Sequence, residues 1–267
     1  MNIKMTLGET LMLCGIRFQD NLKVFASYSE KEHGPFNCPG CKHELVLRKG
    51  RIKVHHFAHK PPYHCQRGEG ESDAHRMCKE SIYNSLSKYT HVTNLDVEAD
   101  FGAVIADVYC LINNVPVAIE IQRSNLSVNE ITARTSAYEK LGINVLWLAL
   151  FNKKLGEKKY SRKAWEKWCH ATYYGRVYYW VADLTIAPVH FAEFQNYVES
   201  SSWYSESGEE QSAGGYYKYS KRYRTPSLGT FLNLATDFNP HYKKARTSGT
   251  VYTPQSRVYL DKLKKWW

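Results

Sequence analysis

Residues 103–122 constrain this chain more than any other stretch. They read Ala103-Val-Ile-Ala-Asp107-Val-Tyr-Cys-Leu-Ile-Asn113-Asn114-Val-Pro-Val-Ala-Ile-Glu120-Ile-Gln122. Two apolar, β-branched runs flank a two-residue Asn loop, and Asn tolerates the positive φ that a tight hairpin turn demands. The loop sets a register. Ile112 faces Val115, Leu111 Pro116, Cys110 Val117, Tyr109 Ala118, Val108 Ile119, and Asp107 faces Glu120. Side chains directly opposite lie ~4.5–5.5 Å apart, and like charges there repel. Two carboxylates at the end of an apolar hairpin either invite a divalent cation or point into solvent, as charges at strand ends commonly do. Oxygen ligands at that separation suit Mg2+ or Mn2+. Gln122 lies two residues on and shares the face of Glu120.

An Asp followed by Glu-X-Gln on the next strand resembles the metal-dependent PD-(D/E)XK nuclease core, with Gln122 where that superfamily usually carries Lys. The flanking sequence builds a sheet around the hairpin. Val92–Phe101 reads as a preceding strand. Ser127-Val-Asn-Glu130 is a capping box that opens a helix. Ile131, Thr135, Tyr138 and Leu141 are its apolar positions, and Gly142 ends it. Ile143–Leu150 is a continuous apolar run, as in a strand buried on both faces. The order from residue 70 is helix, three strands, helix, strand. A helical crossover makes the third and fourth strands parallel, giving an α/β fold with a mixed sheet flanked by helices. That order is also the restriction-endonuclease-like αβββαβ core of the same superfamily.

The first helix carries its own signal. Ser72 is a plausible N-cap, and Ala74, Cys78, Ile82 and Leu86 recur every four residues as a buried stripe. Glu71, His75 and Lys79 form a parallel row. They fit a solvated ladder worth a few tenths of a kcal/mol per pair. They equally fit a face turned toward the carboxylate hairpin, with Glu71 supporting the metal and Lys79 contacting a phosphate.

Upstream, residues 8–30 alternate weakly and suit a pair of strands. Cys38-Pro-Gly-Cys41 is a tight knuckle. Glu44–Arg48, the turn Lys49-Gly50 and Arg51–His55 read as a hairpin that runs into His56-Phe-Ala-His59, with Cys65 beyond. Four of these groups would close a tetrahedral Zn2+ site. Cys38 and Cys41 are the firm pair, with His59 and Cys65 as the other two and His56 as the substitute. Free thiols in a turn beside surface histidines are the competing reading. A redox role for Cys38 and Cys41 lacks a surrounding thioredoxin-like strand–helix pattern.

Charge is uneven. Residues 1–150 hold 17 Lys/Arg against 16 Asp/Glu, and residues 151–267 hold 19 against 10. The local excess attracts polyanions, of which nucleic acid is the usual one, or it solubilises a tail. Tyr160–Thr172 sets Trp165 and Trp168 among Lys158, Lys159, Arg162, Lys163 and Lys167, in a region, 153–200, expected to be helical apart from strand-like Arg176–Ala182. Residues 200–230 read as a mobile linker ending in Tyr216–Arg224. There Lys221, Arg222 and Arg224 alternate with Tyr, a mixture that suits single strands or a disordered tail. If this part only grips DNA, truncation after Phe151 weakens binding more than chemistry. No apolar run is long enough to span a membrane, and no secretory leader is visible. Seven cysteines, an odd and scattered set, fit a reducing cytoplasm with metal-held thiols.

Taken together, residues 37–190 resemble the CoiA-like competence-protein family. The resemblance rests on Cys38-Pro-Gly-Cys41, His56-Phe-Ala-His59, Glu71-Ser-X-X-His75-X3-Lys79, Ala106-Asp107, Ala118-Ile-Glu120-Ile-Gln122-X-Ser124, and Arg134-X3-Tyr138 before Gly142 and Leu146-Trp147. It implies a small zinc-ribbon-like module, placed at 1–66, a PD-(D/E)XK nuclease core, placed at 67–152, and a less defined C-terminal region, which composition divides into a helical, aromatic extension (153–200) and a basic, partly disordered tail (201–267) that carries no resemblance. It implies a Mg2+-dependent DNA endonuclease that handles DNA during transformation, with recombination proteins as partners, or one serving mobile-element or defence biology. In that reading Asp107 and Glu120 hold the catalytic metal and Gln122 orients water. Zinc is structural, and Lys163, Lys167, Lys221, Arg222 and Arg224 meet DNA. A DNA-binding protein that keeps the fold without catalysis, and a zinc-stabilised protein-interaction adaptor, are the alternatives.

Overall fold

The computed structural model describes residues 11–50, 55–63, 65, 71–122, 126–247 and 251–267. Near the N-terminus, five short strands form one sheet: β1 (Cys14–Arg17), β2 (Lys23–Phe25), β3 (Phe36–Asn37), β4 (Glu44–Arg48) and β5 (His56–His59), in the order β2-β1-β3-β4-β5. The weak alternation after residue 8 resolves into β1 and β2, antiparallel with Cys14 opposite Phe25. In β4, Leu45 and Leu47 point inward and join Met12, Ala26, Phe36 and Phe57 in a small core. The partner of β4 is β5, with Leu45 opposite His59 and Arg48 opposite His56. The strand expected to run from Arg51–His55 into His56–His59 pairs with β4 through its second part; residues 51–54 lie outside the described residues.

The remaining strands build a large mixed sheet. In chain order the elements are α1 (Asp73–Leu86), β6 (Val92–Asp100), β7 (Ile105–Ile112), β8 (Val115–Gln122), α2 (Val128–Lys140) and β9 (Asn144–Leu150). Then come β10 (Tyr160–Ser161), α3 (Ala164–Thr172), β11 (Val177–Ala182), β12 (Thr185–Val198), β13 (Ser201–Tyr204), β14 (Glu210–Ala213), β15 (Tyr216–Leu228), β16 (Leu232–Asn233), β17 (Phe238–Lys243) and β18 (Ser256–Asp261). The sheet runs β10-β15-β12-β11-β9-β8-β7-β6, with β16 beside β12, and β18 joining β17 to β9. β13 and β14 pair as a separate ribbon.

The hairpin of β7 and β8 has the anticipated register, from Ile112 opposite Val115 to Val108 opposite Ile119. Asn113 and Asn114 have φ of 50° and 63°, the doubly left-handed turn that matches strand twist. Ser127 caps α2 through the backbone N–H of Glu130, while the Glu130 carboxylate accepts from the Ser127 N–H. Gly142 follows at φ 72° and turns the chain into β9. β8 and β9 are parallel, Val117 beside Asn144 through Gln122 beside Ala149. β9 is buried from Asn144 to Ala149, which explains its unbroken apolar run.

Several expectations need correction. Ala74 is exposed, and the inward face of α1 is His75, Cys78, Lys79, Ile82 and Leu86. Leu141 is exposed at the end of α2, and Ile131, Thr135 and Tyr138 are the fully buried positions of that helix. Between 153 and 200, α3 is the single α-helix; β11 and the 14-residue β12 fill most of the rest. Trp165 and Trp168 face the core and not a ligand surface. The stretch read as linker and loose tail is β-structure: β15 pairs with β12 from Val189–Leu228 to Val198–Tyr216. β-branched and aromatic residues here outweigh the turn-like composition. No helix among the described residues is long and apolar enough to cross a membrane.

Candidate functional site

The antiparallel ladder between β7 and β8 stops at Val108–Ile119, one step short of Asp107 and Glu120. Asp107 takes over with its side chain, as Oδ2 accepts the backbone N–H of Ile121 at 2.8 Å. The same oxygen meets His75 Nε2 at 3.2 Å. Both bonds fall on Oδ2, and the side chain keeps 17% exposure. Burial pushes the Asp107 carboxyl up. The hydrogen bond from His75, the charges of His75 and Lys79 and the Ile121 N–H outweigh it and hold the group well below the usual carboxylate range.

Glu120 has a different environment. Tyr138 donates to Oε1 and Arg134 to Oε2, both from α2. Arg134 also donates to the Ile105 carbonyl at 3.0 Å, tying α2 to the start of β7. Burial raises the Glu120 carboxyl to about 7, with Arg134 opposing and Asp107 adding to the rise. The two acids therefore feel each other, as the register implied, yet each arrives with its own protein partners. Gln122, next on the same face, is buried.

The row Glu71, His75, Lys79 is no solvated ladder. His75 Nδ1 lies 2.7 Å from Glu71, and Lys79 Nζ lies 2.6 Å from Glu71 and 2.8 Å from Glu98. Burial lowers the basicity of His75, but hydrogen bonds to Asp107 and Glu71 carry it up to about 9. Lys79 is likewise raised, since Glu98 and Glu71 outweigh desolvation. A charged imidazole and a charged ammonium thus sit between three carboxylates. Glu71 meets both His75 and Lys79 through the same oxygen, Oε1. Glu98 holds a left-handed backbone, φ 53°, between the paired Val97 and Ala99 of β6, and the Lys23 ammonium caps the neighbouring carbonyl of Val97 at 2.9 Å.

In the N-terminal sheet, Cys38, Cys41, His59 and Cys65 place one ligand atom each within 4.8 Å of all the others. Cys38 and Cys65 sulfurs are 4.0 Å apart, and Cys41 Sγ is 3.1 Å from His59 Nε2. Tetrahedral Zn2+ with bonds near 2.3 Å to sulfur and 2.0–2.1 Å to nitrogen sets ligand atoms ~3.5–3.8 Å apart, so shifts of about half an ångström in these pairs would seat the ion. The elements explain the convergence. The knuckle follows β3, His59 ends β5, and Leu45 opposite His59 brings the two together. His56, the substitute ligand, is buried in β5 and outside the cluster. Among the described residues this is the one group of three or more His, Cys, Asp or Glu arranged to hold a metal.

The two basic stretches are neighbours. β10 pairs with β15, Tyr160 opposite Arg224 and Ser161 opposite Tyr223. Lys163, two residues beyond Ser161, therefore follows directly on the strand that pairs with Tyr223 and Arg224. Lys163, Lys167, Lys221 and Arg222 are exposed, whereas Arg224 donates to the carbonyls of Ser220 and Tyr223. The sequence marks Tyr138 as an apolar position of the helix and Arg134 with Tyr138 as a motif, but gives neither them nor Glu98 a part in the site. Arg134 and Tyr138 sit one turn apart on α2, a spacing legible in the chain, but their target is non-local.

Two family models match the chain. "Competence protein CoiA, N-terminal domain" covers residues 22–68, and "Competence protein CoiA, nuclease-like domain" covers residues 71–200. No curated protein and no solved structure matches. The first match takes in all four ligands of the cysteine–histidine cluster, and the second spans the hairpin acids, the α1 row and the α2 clamp. The chain belongs to the CoiA-like competence-protein family.

Proposed function

We propose that the protein is a metal-dependent DNA endonuclease with a PD-(D/E)XK-type core, acting on DNA during transformation or recombination. What supports this reading is that Asp107 and Glu120 follow the point where the β7–β8 ladder stops and that the Asp107 charge reaches Glu120. The order α1, three strands, α2, β9 supports it, as does the match to a nuclease-like domain. Asp107 and Glu120 would hold Mg2+ or Mn2+, which when bound supplies a water of lowered pKa and positive charge for the scissile phosphate. Asp107 is the readier of the two, ionised and partly exposed. Glu120 would engage once deprotonated and released from Arg134 or Tyr138. Gln122 would orient the attacking water, and Lys79 and His75 would hold positive charge beside Asp107. Zn2+ at Cys38, Cys41, His59 and Cys65 would be structural, because four protein ligands close the site.

The clamp on Glu120 favours a second reading, a DNA-binding protein that keeps the fold but does not cut. One assay separates them. Plasmid, single-stranded and branched DNA are incubated with Mg2+ or with a chelator. The endonuclease reading expects Mg2+-dependent cleavage that Asp107→Ala and Glu120→Ala both abolish while circular dichroism stays unchanged. Full activity in both variants overturns the site. Salt-dependent DNA binding without cleavage under any metal supports the second reading.

A further inference from the structure

Away from the hairpin acids, a cavity of about 570 Å3 is lined by Arg162, Lys167, His170, Tyr174, Lys243 and Arg246. None of its lining residues is acidic. A space of this size is in the range of small-ligand sites. Lys243 is the key observation. It is 6% exposed, and its ammonium lies 4.1 Å from the centre of the Tyr174 ring. Among the described residues no carboxylate comes within ion-pair distance of Lys243, Arg162 or Lys167. A buried cation without a counter-charge is costly, and a ring face offsets only part of that cost. Arg162 adds a buried Nε–H with no hydrogen-bond partner among the described residues. Its nearest acid by charge, Glu166, instead accepts from Tyr160, Tyr179 and the Lys163 N–H, at 2.7, 2.7 and 2.6 Å.

The walls are built and rigid. His170 Nε2 accepts from the Phe191 N–H at 3.4 Å and lies 3.2 Å from His190 Nδ1, which itself donates to the Gly175 carbonyl at 2.8 Å. That arrangement puts the His170 proton on Nδ1. The Trp267 ring stacks on His190 with centroids 4.1 Å apart. Gly175 is in the left-handed region at φ 91°, and a Cβ there would meet Trp267 at 2.8 Å. Tyr174 OH is 3.0 Å from His241 Nε2. Burial depresses the basicity of Lys243, Arg162 and His170, and neighbouring positive charge adds to it, Arg246 at Lys243, Arg224 at Arg162 and Arg162 at His170, a conflict that a bound anion relieves.

We infer that this cavity is a site for a phosphate group, carried by a nucleotide or by a nucleic-acid strand. Guanidinium and ammonium donors around one concavity are the chemistry that recognises it. The inference stands apart from the cleavage reading, since such a pocket can hold phosphate whether or not the hairpin acids cut.

The test is binding to the full chain without added divalent metal. Probes are inorganic phosphate, a deoxynucleoside monophosphate, and one single-stranded oligonucleotide with a 5′-phosphate or a 5′-hydroxyl end. Lys167→Gln with Arg246→Gln removes two exposed cations of the pocket; Lys153→Gln with Lys154→Gln is the charge-matched control outside it. At least one probe should bind saturably at one per chain, and the pocket variant should weaken it at least about tenfold while the control changes it less than about twofold. Competition by the mononucleotide or by inorganic phosphate identifies a free ligand. Preference for the 5′-phosphorylated strand identifies a strand end, and equal binding of both strands an internal phosphate. If the pocket variant binds every probe as the control does, or no probe saturates, the inference is overturned.

Discussion

Replacing Lys79 by methionine removes the ammonium that Glu71 and Glu98 share. Lys79 Nζ lies 2.6 Å from one carboxylate and 2.8 Å from the other, and its side chain is 3% exposed. Methionine keeps most of the stem volume, so the loss is electrostatic more than steric. Removing one partner of a buried ion pair costs ~3–5 kcal/mol, because the remaining charge is left in a poor solvent. Glu71 keeps His75 at 2.7 Å, and Glu98 retains 12% exposure, which places the cost near the lower end, about 3 kcal/mol. With a urea slope of ~3 kcal/mol/M, the midpoint should fall by about 1 M. The assay is urea unfolding followed by tryptophan fluorescence, with the exposed Lys88→Met as control. Adding Glu98→Gln to Lys79→Met should recover part of the loss, because the second change discharges the stranded acid. A Lys79→Met midpoint equal to that of Lys88→Met would refute the argument. Cleavage rates belong beside these curves at matched folded fraction. A rate loss beyond stability is what a phosphate contact through Lys79 would produce.

Two further outcomes are open to measurement. Metal analysis of the purified protein should find one Zn2+ per chain, and Cys41→Ser should lose it; the small core around Phe36, Leu45, Leu47 and Phe57 cannot hold the sheet alone, so residues 36–65 should become protease-sensitive. For pH, His170 is held down to about 3 by burial and by the charges of His190, Arg162 and Arg224, so the unfolded chain takes up the proton first as pH falls below the usual value near 6.5. The His170 contribution to stability should therefore fall by about 2 kcal/mol between pH 7 and pH 5, so the urea stability of the protein relative to His170→Phe should fall by that amount over that range.

The sequence was most informative where structure is local. The Asn113-Asn114 turn, the Ser127 capping box, the Gly142 stop and the β7–β8 register all depend on residues a few positions apart, and all are found. The four-ligand cluster was legible because soft ligands at knuckle spacing have few other uses in a reducing setting. What stayed hidden was non-local. Glu120 is gripped from α2, Lys79 answers to Glu98 on β6, and no spacing rule links those positions. The region beyond residue 200 was misread because Ser, Gly and Tyr describe an exposed ribbon as well as a linker. Only pairing with β12 decides between them. A cut after Phe151, proposed to separate grip from chemistry, would strip β11 and β18 from β9.

β9 shares one flank between two later segments, β11 along Leu148–Leu150 and β18 at Val145. During synthesis the central strand therefore waits for a mate that emerges more than a hundred residues behind it. Until β18 arrives, a nascent chain displays a half-covered parallel edge, the kind of surface that recruits chaperones or strays into aggregates. Long-range closure of this kind slows maturation.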